Sequence, residues 1–314
     1  MQLTDKIHLL RFDEADTNLY LVVDNGEAAL IDAHVGPEAD RILAAIQEIV
    51  NLSQLKMVIL THGHPDHVGA CPKIKERTSA RTAAHFSDKC FIEDPWSIFS
   101  VLYHYATPTE EQYADFIEMV GGCGSKVDIM LYDRDILRVG TTELEIIHTP
   151  GHSLGSICLY EKESKSIITG DVTTPVEWFP EWLGFIVDAR YHMESLHRLS
   201  NERIDLFLPG HGPIREKLDS KKDILKHIER FEKIESEMIQ IISAEDGLTL
   251  PKVRNRLVER FQLDRDEEEL GFGIHAEWHT VYAFLQKLCF EGKLAHSTEQ
   301  EWKVIDIDDY SNAL

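Results

Sequence analysis

Short apolar runs separated by turns dominate the first sixty residues. Residues 19–23 form one such run, which closes at Asp24-Asn25-Gly26, a strong hairpin signal. Residues 28–32 predict the returning strand. Apolar residues recur at helical spacing over 38–50, and this helix leads to a strand at 57–60. The alternation of strands and helices predicts a layered α/β domain.

The remaining pattern divides into a strand-rich part and a helical part. A helix is predicted at 71–77, and strands at 136–139, 144–147, 157–160, 167–169 and 206–208. The composition changes near residue 216, and predicted helices follow at 221–243, 249–261 and 275–291, with a closing hairpin at 293–294 and 302–305. Three helices and a hairpin resemble a winged helix. We therefore expect one domain at 1–216 and a small, helical, winged-helix-like domain at 217–314.

Residues 87–128 interrupt the alternation with a predicted helical insert that is rich in aromatic and apolar side chains. Pro95 and Pro108 punctuate it. The side chains concerned are Trp96, Phe99, Val101, Leu102, Tyr103, Tyr105, Tyr113 and Phe116. Such an insert forms either one wall of a substrate pocket or a helical cap with a small core of its own.

The bulk composition is that of an ordinary globular protein. The chain has 314 residues, of which 43% are hydrophobic. Its first residues lack the apolar core of a signal peptide, and no run approaches membrane-spanning length. The five cysteines are scattered without a CxxC pair, as expected for reduced thiols. These features predict a cytoplasmic enzyme that does not associate with membranes.

The formal net charge of -23 weighs against nucleic-acid binding, because phosphate contacts need clustered Lys and Arg. It also weighs mildly against polyanionic cofactors such as coenzyme A. A small-molecule substrate is the expectation that remains.

The candidate chemistry lies in the loop Thr61-His62-Gly63-His64-Pro65-Asp66-His67, directly after the predicted strand 57–60. Alternate spacing directs His62 and His64 toward one side, while Asp66 and His67 can reach a second point nearby. Nitrogen and oxygen ligands of this kind suit zinc, iron or manganese. The loop is therefore a predicted metal site.

Further His and Asp residues follow other predicted strands. His152 lies on a Pro-Gly turn, Asp171 ends the strand 167–169, and His211 and Asp32 hold comparable positions. Singly, each is compatible with a turn or capping role. Functional loops commonly occupy one rim of a sheet, so together with the His cluster these residues predict one shared site.

With these motifs in order, the chain resembles the metallo-β-lactamase superfamily over residues 5–215. The resemblance implies an αββα sandwich and a dinuclear metal centre. By that resemblance, His62, His64 and His152 would hold the first metal ion, and Asp66, His67 and His211 the second. Asp171 would bridge both ions, and Asp32 would brace the site from behind the ligands.

The ligand set implied by the resemblance also implies a chemistry. Two divalent ions, with zinc expected and iron or manganese as alternatives, lower the pKa of a bridging water and make hydroxide available near neutral pH. Asp66 would orient that nucleophile and accept its proton, and Asp171 would join the two ions. The expected reaction class is hydrolysis.

Features within the superfamily narrow the substrate. The chain resembles enzymes similar to glyoxalase II. In general layout it also resembles the β-lactamase-like protein 2 group, and that second resemblance implies single-strand endoribonuclease activity. The insert and the aromatic residues Trp178, Phe179, Trp182 and Phe185 suit an apolar acyl group, unless they only pack a lid. We therefore expect cleavage of an acyl-CoA or acylglutathione thioester.

Three alternatives stay open: cleavage of RNA or another phosphodiester, a mononuclear iron persulfide dioxygenase, and a metal-binding sensor without turnover. The C-terminal region is expected to complete a pocket or a homodimer contact rather than to bind DNA. His275 and His279 stand four residues apart on a predicted helix, and with no third ligand nearby they are expected to be surface histidines.

Overall fold

Two β-sheets of six strands each form the centre of the fold, and the computed structural model describes residues 1–12, 17–102, 104, 109–178, 183–245, 247–263, 276–297 and 301–304. The first sheet contains, in spatial order, Ile7–Arg11 (β1), Asn18–Asp24 (β2), Glu27–Ile31 (β3), Leu55–Leu60 (β4), Arg81–His85 (β5) and Ile129–Leu131 (β6). The second contains Ile136–Val139 (β7), Thr142–His148 (β8), Ile157–Glu161 (β9), Ser166–Gly170 (β10), Leu206–Pro209 (β11) and Arg215–Glu216 (β12).

Strand direction brings the predicted ligands to one edge. In the first sheet, β3, β4 and β5 are parallel neighbours, so Asp32 and the His cluster follow strands that end at the same edge. In the second sheet, β8, β9 and β10 pair antiparallel in turn, and β10 pairs with β11 in parallel. The strands β8, β10 and β11 therefore run in one direction, and their carboxyl ends carry His152, Asp171 and His211.

Helices cover both outer faces of the paired sheets. The helices of the described residues are Ala39–Gln47 (α1), Pro65–Val68 (α2), Cys71–Thr78 (α3), Lys89–Glu93 (α4), Pro95–Leu102 (α5), Glu110–Met119 (α6), Ala189–Ser200 (α7), Leu218–Ala244 (α8), Leu250–Phe261 (α9) and Ala276–Phe290 (α10). One apolar cluster joins α1 and α3 to the first sheet, a second fills the space between the sheets, and a third joins the second sheet to α7–α10. These four layers confirm the expected αββα sandwich.

The C-terminal helices pack on the same core as the second sheet. Ile167 and Phe207 of that sheet belong to one buried cluster with Phe231 of α8 and Phe284 of α10. Leu248–Thr249 (β13), Leu294–His296 (β14) and Glu301–Val304 (β15) form a third sheet in the order β13-β15-β14. The core thus continues past residue 216, and the division into two domains there stays a prediction.

Most elements lie where the apolar pattern predicts them, but the helices α2 and α7 and the strands β1, β5, β6, β12 and β13 were not predicted. The buried face of α7 includes His192 and Ser195, so hydrophobic periodicity does not reveal this helix. Strand β5, with the sequence RTAAH, is buried through small and polar side chains. Ile305 of the predicted hairpin lies outside the described residues. Among the helices that the structure describes, none has the length and apolar character needed to cross a membrane.

Candidate metal centre

The loop after β4 changes backbone conformation in the middle of the ligand cluster. His64 is extended, with φ -75° and ψ 148°, and Pro65 begins the short helix α2. A proline disfavours helical backbone in the residue before it and suits the first position of a helix. This change separates the pair His62 and His64 from the pair Asp66 and His67.

Three imidazoles converge at the first of these two places. His152 Nε2 lies 2.8 Å from His64 Nδ1 and 3.3 Å from His62 Nε2. All three side chains are buried, although they come from loops of both sheets. Three nitrogen atoms that face one another at these distances form a ligand set suited to a divalent ion such as zinc.

Two imidazoles and a carboxylate meet at the second place. Asp66 Oδ2 lies 3.3 Å from His67 Nε2 and 3.2 Å from His211 Nε2. The two imidazole Nε2 atoms are 3.4 Å apart. His67 is fully buried, whereas 32% of the Asp66 side chain is exposed, so this carboxylate lies on the open side of the cluster.

Asp171 lies between the two groups. Its Oδ2 is 3.2 Å from His211 Nε2 and 3.6 Å from His152 Nε2, and its Oδ1 is 3.5 Å from His67 Nε2. Within the described residues, Oδ1 is buried and accepts no hydrogen bond. A buried carboxylate oxygen without a donor is costly, and a bound cation would satisfy it. The side chains therefore fit a metal site.

Gly210 shows how closely the second-sheet loops approach. A Cβ atom at this position would lie 2.2 Å from Asp171 Oδ1, so only glycine can precede His211 without displacing the carboxylate. The ligand atoms form three groups, each within 4.8 Å, namely His62/His64/His152, His62/His67/Asp171 and Asp66/His67/His211. All seven predicted ligands are thus brought together.

The electrostatics of the two groups differ. Burial lowers the pKa values of His62, His64 and His152, so these imidazoles are neutral and able to bind metal at neutral pH. Burial also opposes protonation of His211, but the carboxylates of Asp171 and Asp66 outweigh it and raise its pKa to about 10.

The carboxylates respond in the opposite direction. Burial favours their neutral forms, but the neighbouring imidazoles outweigh it and hold the pKa values of Asp66 and Asp171 well below the usual range. Both side chains are therefore anionic at neutral pH, which is the form that binds metal.

Asp32 contacts the ligand loop from behind. It accepts hydrogen bonds from the Thr61 backbone at 2.7 Å, from Thr61 Oγ1 at 2.8 Å and from His67 Nδ1 at 2.9 Å. His62 Nδ1 lies 3.0 Å from the same Thr61 hydroxyl. These bonds orient the other ring nitrogens of His62 and His67 toward the cluster. Asp32 has a φ of 61°, a strained value for a residue other than glycine.

His152 is oriented by a segment that the C-terminal helices hold. Its Nδ1 donates to the Phe185 carbonyl at 2.8 Å. Thr280 of α10 donates to the Gly184 carbonyl at 2.6 Å and accepts from the Ile186 backbone N–H at 3.1 Å. A hydroxyl of the C-terminal part therefore fixes the residues on both sides of Phe185.

Two histidines of the C-terminal helices, His279 and His227, contact segments next to the metal ligands. The His279 ring centroid is 4.8 Å from that of Phe185, and the side chain is buried, so the expectation of a surface residue was wrong. His275 lies outside the described residues. His227 of α8 accepts from the Thr174 backbone at 3.0 Å, three residues after Asp171.

The aromatic insert forms a helical cap with its own core. Phe116 and Ile98 are buried there together with Phe185, whose ring centroid is 5.0 Å from that of His64. The cap and the metal cluster thus share Phe185. The Trp178 ring centroid lies 5.7 Å from that of His211. Tyr103, Tyr105, Pro108, Phe179 and Trp182 lie outside the described residues.

Sequence reasoning missed Asp88, Thr280 and His227. Asp88 accepts hydrogen bonds from the Gly63 and Gly155 backbones of two ligand loops and follows β5, but the apolar pattern does not reveal that strand. No signal pointed to Thr280 and His227 either, since both lie on helices far along the chain from the loops that they contact.

Comparisons with known proteins agree with this geometry. A family model described as the metallo-beta-lactamase superfamily matches residues 13–211. The beta-lactamase-like protein 2 homolog of Caenorhabditis elegans is 25% identical over 292 residues, which cover 92% of this chain and 84% of that protein. A hydroxyacylglutathione hydrolase of Haemophilus influenzae is 33% identical over 156 residues, which cover 48% of this chain and 62% of that protein.

The fold has a counterpart among solved structures. A metallo-beta-lactamase family protein from Thermus thermophilus aligns with a TM-score of 0.73 at 20% identity, covering 97% of this chain and all of that one. This likeness concerns the fold and includes the C-terminal helices. The chain spans less than two thirds of the length of the H. influenzae relative.

Proposed function

Because the chain belongs to the metallo-beta-lactamase superfamily, we propose that it is a metal-dependent hydrolase that cleaves an acyl thioester of the acyl-CoA or acylglutathione type. The observation that carries the proposal is the convergence of two ligand groups on Asp171, which contacts His152 in one group and His67 and His211 in the other. Such a pair of sites is suited to two-metal hydrolysis.

The metal-binding residues divide as the groups do. His62, His64 and His152 would hold one ion and Asp66, His67 and His211 another, with Asp171 shared, and zinc is the ion that the His-rich set favours. Divalent ions there would supply Lewis acidity and lower the pKa of water to near neutrality. Asp32 supports the site through its bonds to Thr61 and His67.

Asp66 is suited to act on the attacking water. Its carboxylate is partly exposed, and neighbouring histidines hold its pKa well below the usual range, so it is anionic and able to orient a water molecule by accepting a hydrogen bond from it. A thiolate leaves with little general-acid assistance, because thiols are far more acidic than alcohols. A thioester therefore needs no further proton donor from this chain.

Aromatic rings beside the cluster support an acyl substrate. Phe185 lies against His64, and Trp178 lies beside His211. Apolar walls around a few polar groups are typical of small-molecule sites. The similarity to a relative named hydroxyacylglutathione hydrolase supports the same substrate class.

We propose that the C-terminal helices complete this site and do not serve as a nucleic-acid module. The bonds from Thr280 to the segment around Phe185 support that role, as does the net charge of -23. A winged-helix-like arrangement, a homodimer contact and a cytoplasmic location stay predictions.

The test is a comparison of substrates with protein purified without added metal. Hydrolysis of acyl-CoA or acylglutathione is expected, with no cleavage of a single-stranded RNA oligonucleotide, and Asp66→Ala should abolish turnover. RNA cleavage that Asp171→Ala removes, without thioester turnover, would overturn the substrate class. One iron per chain and oxygen consumption on persulfides would overturn hydrolysis itself.

A further inference from the structure

We propose that Asp88 is a positioning residue that holds two ligand-bearing loops together and so keeps His62, His64 and His152 in the geometry that binds metal. Asp88 itself makes no contact with a metal ligand side chain in the described structure. It acts through the backbone and side chains of residues between and beside the ligands.

The Asp88 carboxylate accepts three hydrogen bonds. Its Oδ2 accepts from the Gly63 backbone N–H at 2.9 Å and from Ser153 Oγ at 2.6 Å. Its Oδ1 accepts from the Gly155 backbone N–H at 2.7 Å. Gly63 lies between His62 and His64, and Ser153 follows His152 directly. One carboxylate therefore connects the ligand loop of the first sheet to that of the second.

Burial makes this connection hard to replace. The Asp88 side chain is fully buried, so its charge depends on these donors for stabilisation. Removing the carboxylate would leave the buried backbone N–H groups of Gly63 and Gly155 without an acceptor, which is energetically unfavourable.

The neighbouring loop is shaped to receive the carboxylate. A Cβ atom on Gly155 would lie 2.5 Å from Asp88 Cγ, so the close approach requires a glycine. The hydroxyl of Ser153 also lies 2.8 Å from Ser156 Oγ, which extends the network within the His152 loop. The contact is therefore a specific junction between loops.

The bonds that orient the individual rings do not fix the distance between the two loops. Thr61 contacts His62 Nδ1, and the Phe185 carbonyl accepts from His152 Nδ1, so these partners orient individual rings. The spacing between the rings depends instead on how the two loops are held relative to each other. Asp88 bonds to both loops, and displacement by a fraction of an ångström would disturb metal binding.

The test uses Asp88→Asn, which keeps the size of the side chain but places an NH₂ group against at least one of the three donors. Each protein is loaded with zinc, and the rate of metal transfer to an excess of a chromogenic chelator is measured. Loss of partners behind metal ligands typically costs about 10–100-fold in affinity, so metal release should be faster by a similar factor.

Asp128→Asn is the matched control. Asp128 accepts from Lys75 Nζ at 2.6 Å and from the Thr82 backbone at 3.0 Å, near the start of β5 and away from the ligand loops. This variant tests whether the loss of any carboxylate close to β5 affects metal release. Release from Asp128→Asn is expected to match that of the unaltered protein, and equal rates for both variants would overturn the proposal.

Cobalt substitution provides a readout that a loss of stability alone would not change. The d–d absorption bands of bound Co²⁺ report ligand geometry, so they should shift in Asp88→Asn and stay unchanged in Asp128→Asn. Should Asp88→Asn fail to fold, Ser153→Ala decides, because it removes one of the three bonds. Release from Ser153→Ala that equals the Asp128→Asn rate would overturn the proposal.

The measurement needs no substrate. Failure of the Asp88 proposal therefore leaves thioester hydrolysis untouched, and failure of the thioester assay leaves metal retention untouched.

Discussion

The two sheets supply their ligands in different ways. His62, His64, Asp66 and His67 of the first sheet all come from one six-residue stretch, where a proline sets the change of backbone direction. His152, Asp171 and His211 of the second sheet follow three separate strands. The two that are closest in sequence, His152 and Asp171, are 19 residues apart.

The difference determines what holds each half in place. The first-sheet loop is held by Asp32, which lies at the end of the neighbouring strand of the same sheet. The His152 and Asp171 loops contact the C-terminal helices, through Thr280 beside Phe185 and through His227 at Thr174. The His211 loop is held instead by Asn18 of β2 in the first sheet, which donates to the Pro209 and Gly212 carbonyls. A ligand set that is compact in sequence needs local support, whereas a dispersed one needs support from other layers of the fold.

The largest effect is expected for Asp171→Ala, because the Asp171 carboxylate lies between the two groups of metal ligands. The variant should lose bound metal and fall in kcat/KM by more than the roughly 100-fold that loss of a supporting residue costs. Metal content by plasma mass spectrometry and thioester turnover measure this. The control is Asp205→Ala, whose carboxylate makes a surface ion pair with Lys165 and should change neither quantity.

A smaller effect concerns His227 and pH. Its Nδ1 donates to the Asp223 carbonyl at 2.8 Å, and its Nε2 accepts from Thr174, so the bonded ring is neutral. Burial lowers its pKa to about 4. As the pH falls, His227 takes up a proton near pH 6.5 in the unfolded chain, but only near pH 4 in the folded protein. Its contribution to the free energy of unfolding is therefore fully present above pH 6.5 and is lost as the pH decreases toward 4.

The shift corresponds to about 3 kcal/mol, and it is measured by denaturant unfolding of metal-free protein between pH 7.5 and 4.5. His192, whose pKa burial also lowers, contributes in the same direction, whereas His211, whose pKa is raised to about 10, contributes in the opposite one. His227→Gln, which keeps an acceptor for Thr174, isolates the contribution of His227. If the free energy of unfolding depends on pH in the same way in His227→Gln and in the unaltered protein, the contact of His227 with Thr174 does not support the second-sheet ligands.

The smallest effect is expected for Thr280→Val, which keeps the shape but removes both bonds to the segment around Phe185. The loss should be about 2 kcal/mol in the free energy of unfolding, with faster release of metal, because two buried backbone groups lose their partner. Ser243→Ala on α8 removes a hydroxyl that bonds within its own helix, at the Ile239 carbonyl, and should change little. Equal metal release from both variants would contradict support of the metal site by α10.

The aromatic insert shows where sequence reasoning reached its limit. Its composition predicted either a pocket wall or a cap with its own core, and the structure has the core, with Phe116 and Phe185 packed together. Composition could not decide this, because apolar side chains form both kinds of surface. Likewise α7 escaped prediction because its buried face carries His192 and Ser195, which pattern methods assign to solvent.

The sequence by itself determined most of the strands, the division of the ligand loop into two pairs and the family of the metal cluster. These follow from local conformational preferences and from ligand types that stand close together or directly after apolar runs. Only the tertiary structure decided that Asp88 joins the two loops and that Thr280 and His227 support the second sheet. Such contacts bring together residues up to 96 positions apart, and their partners are mainly backbone groups, which every residue carries and which leave no mark in the sequence.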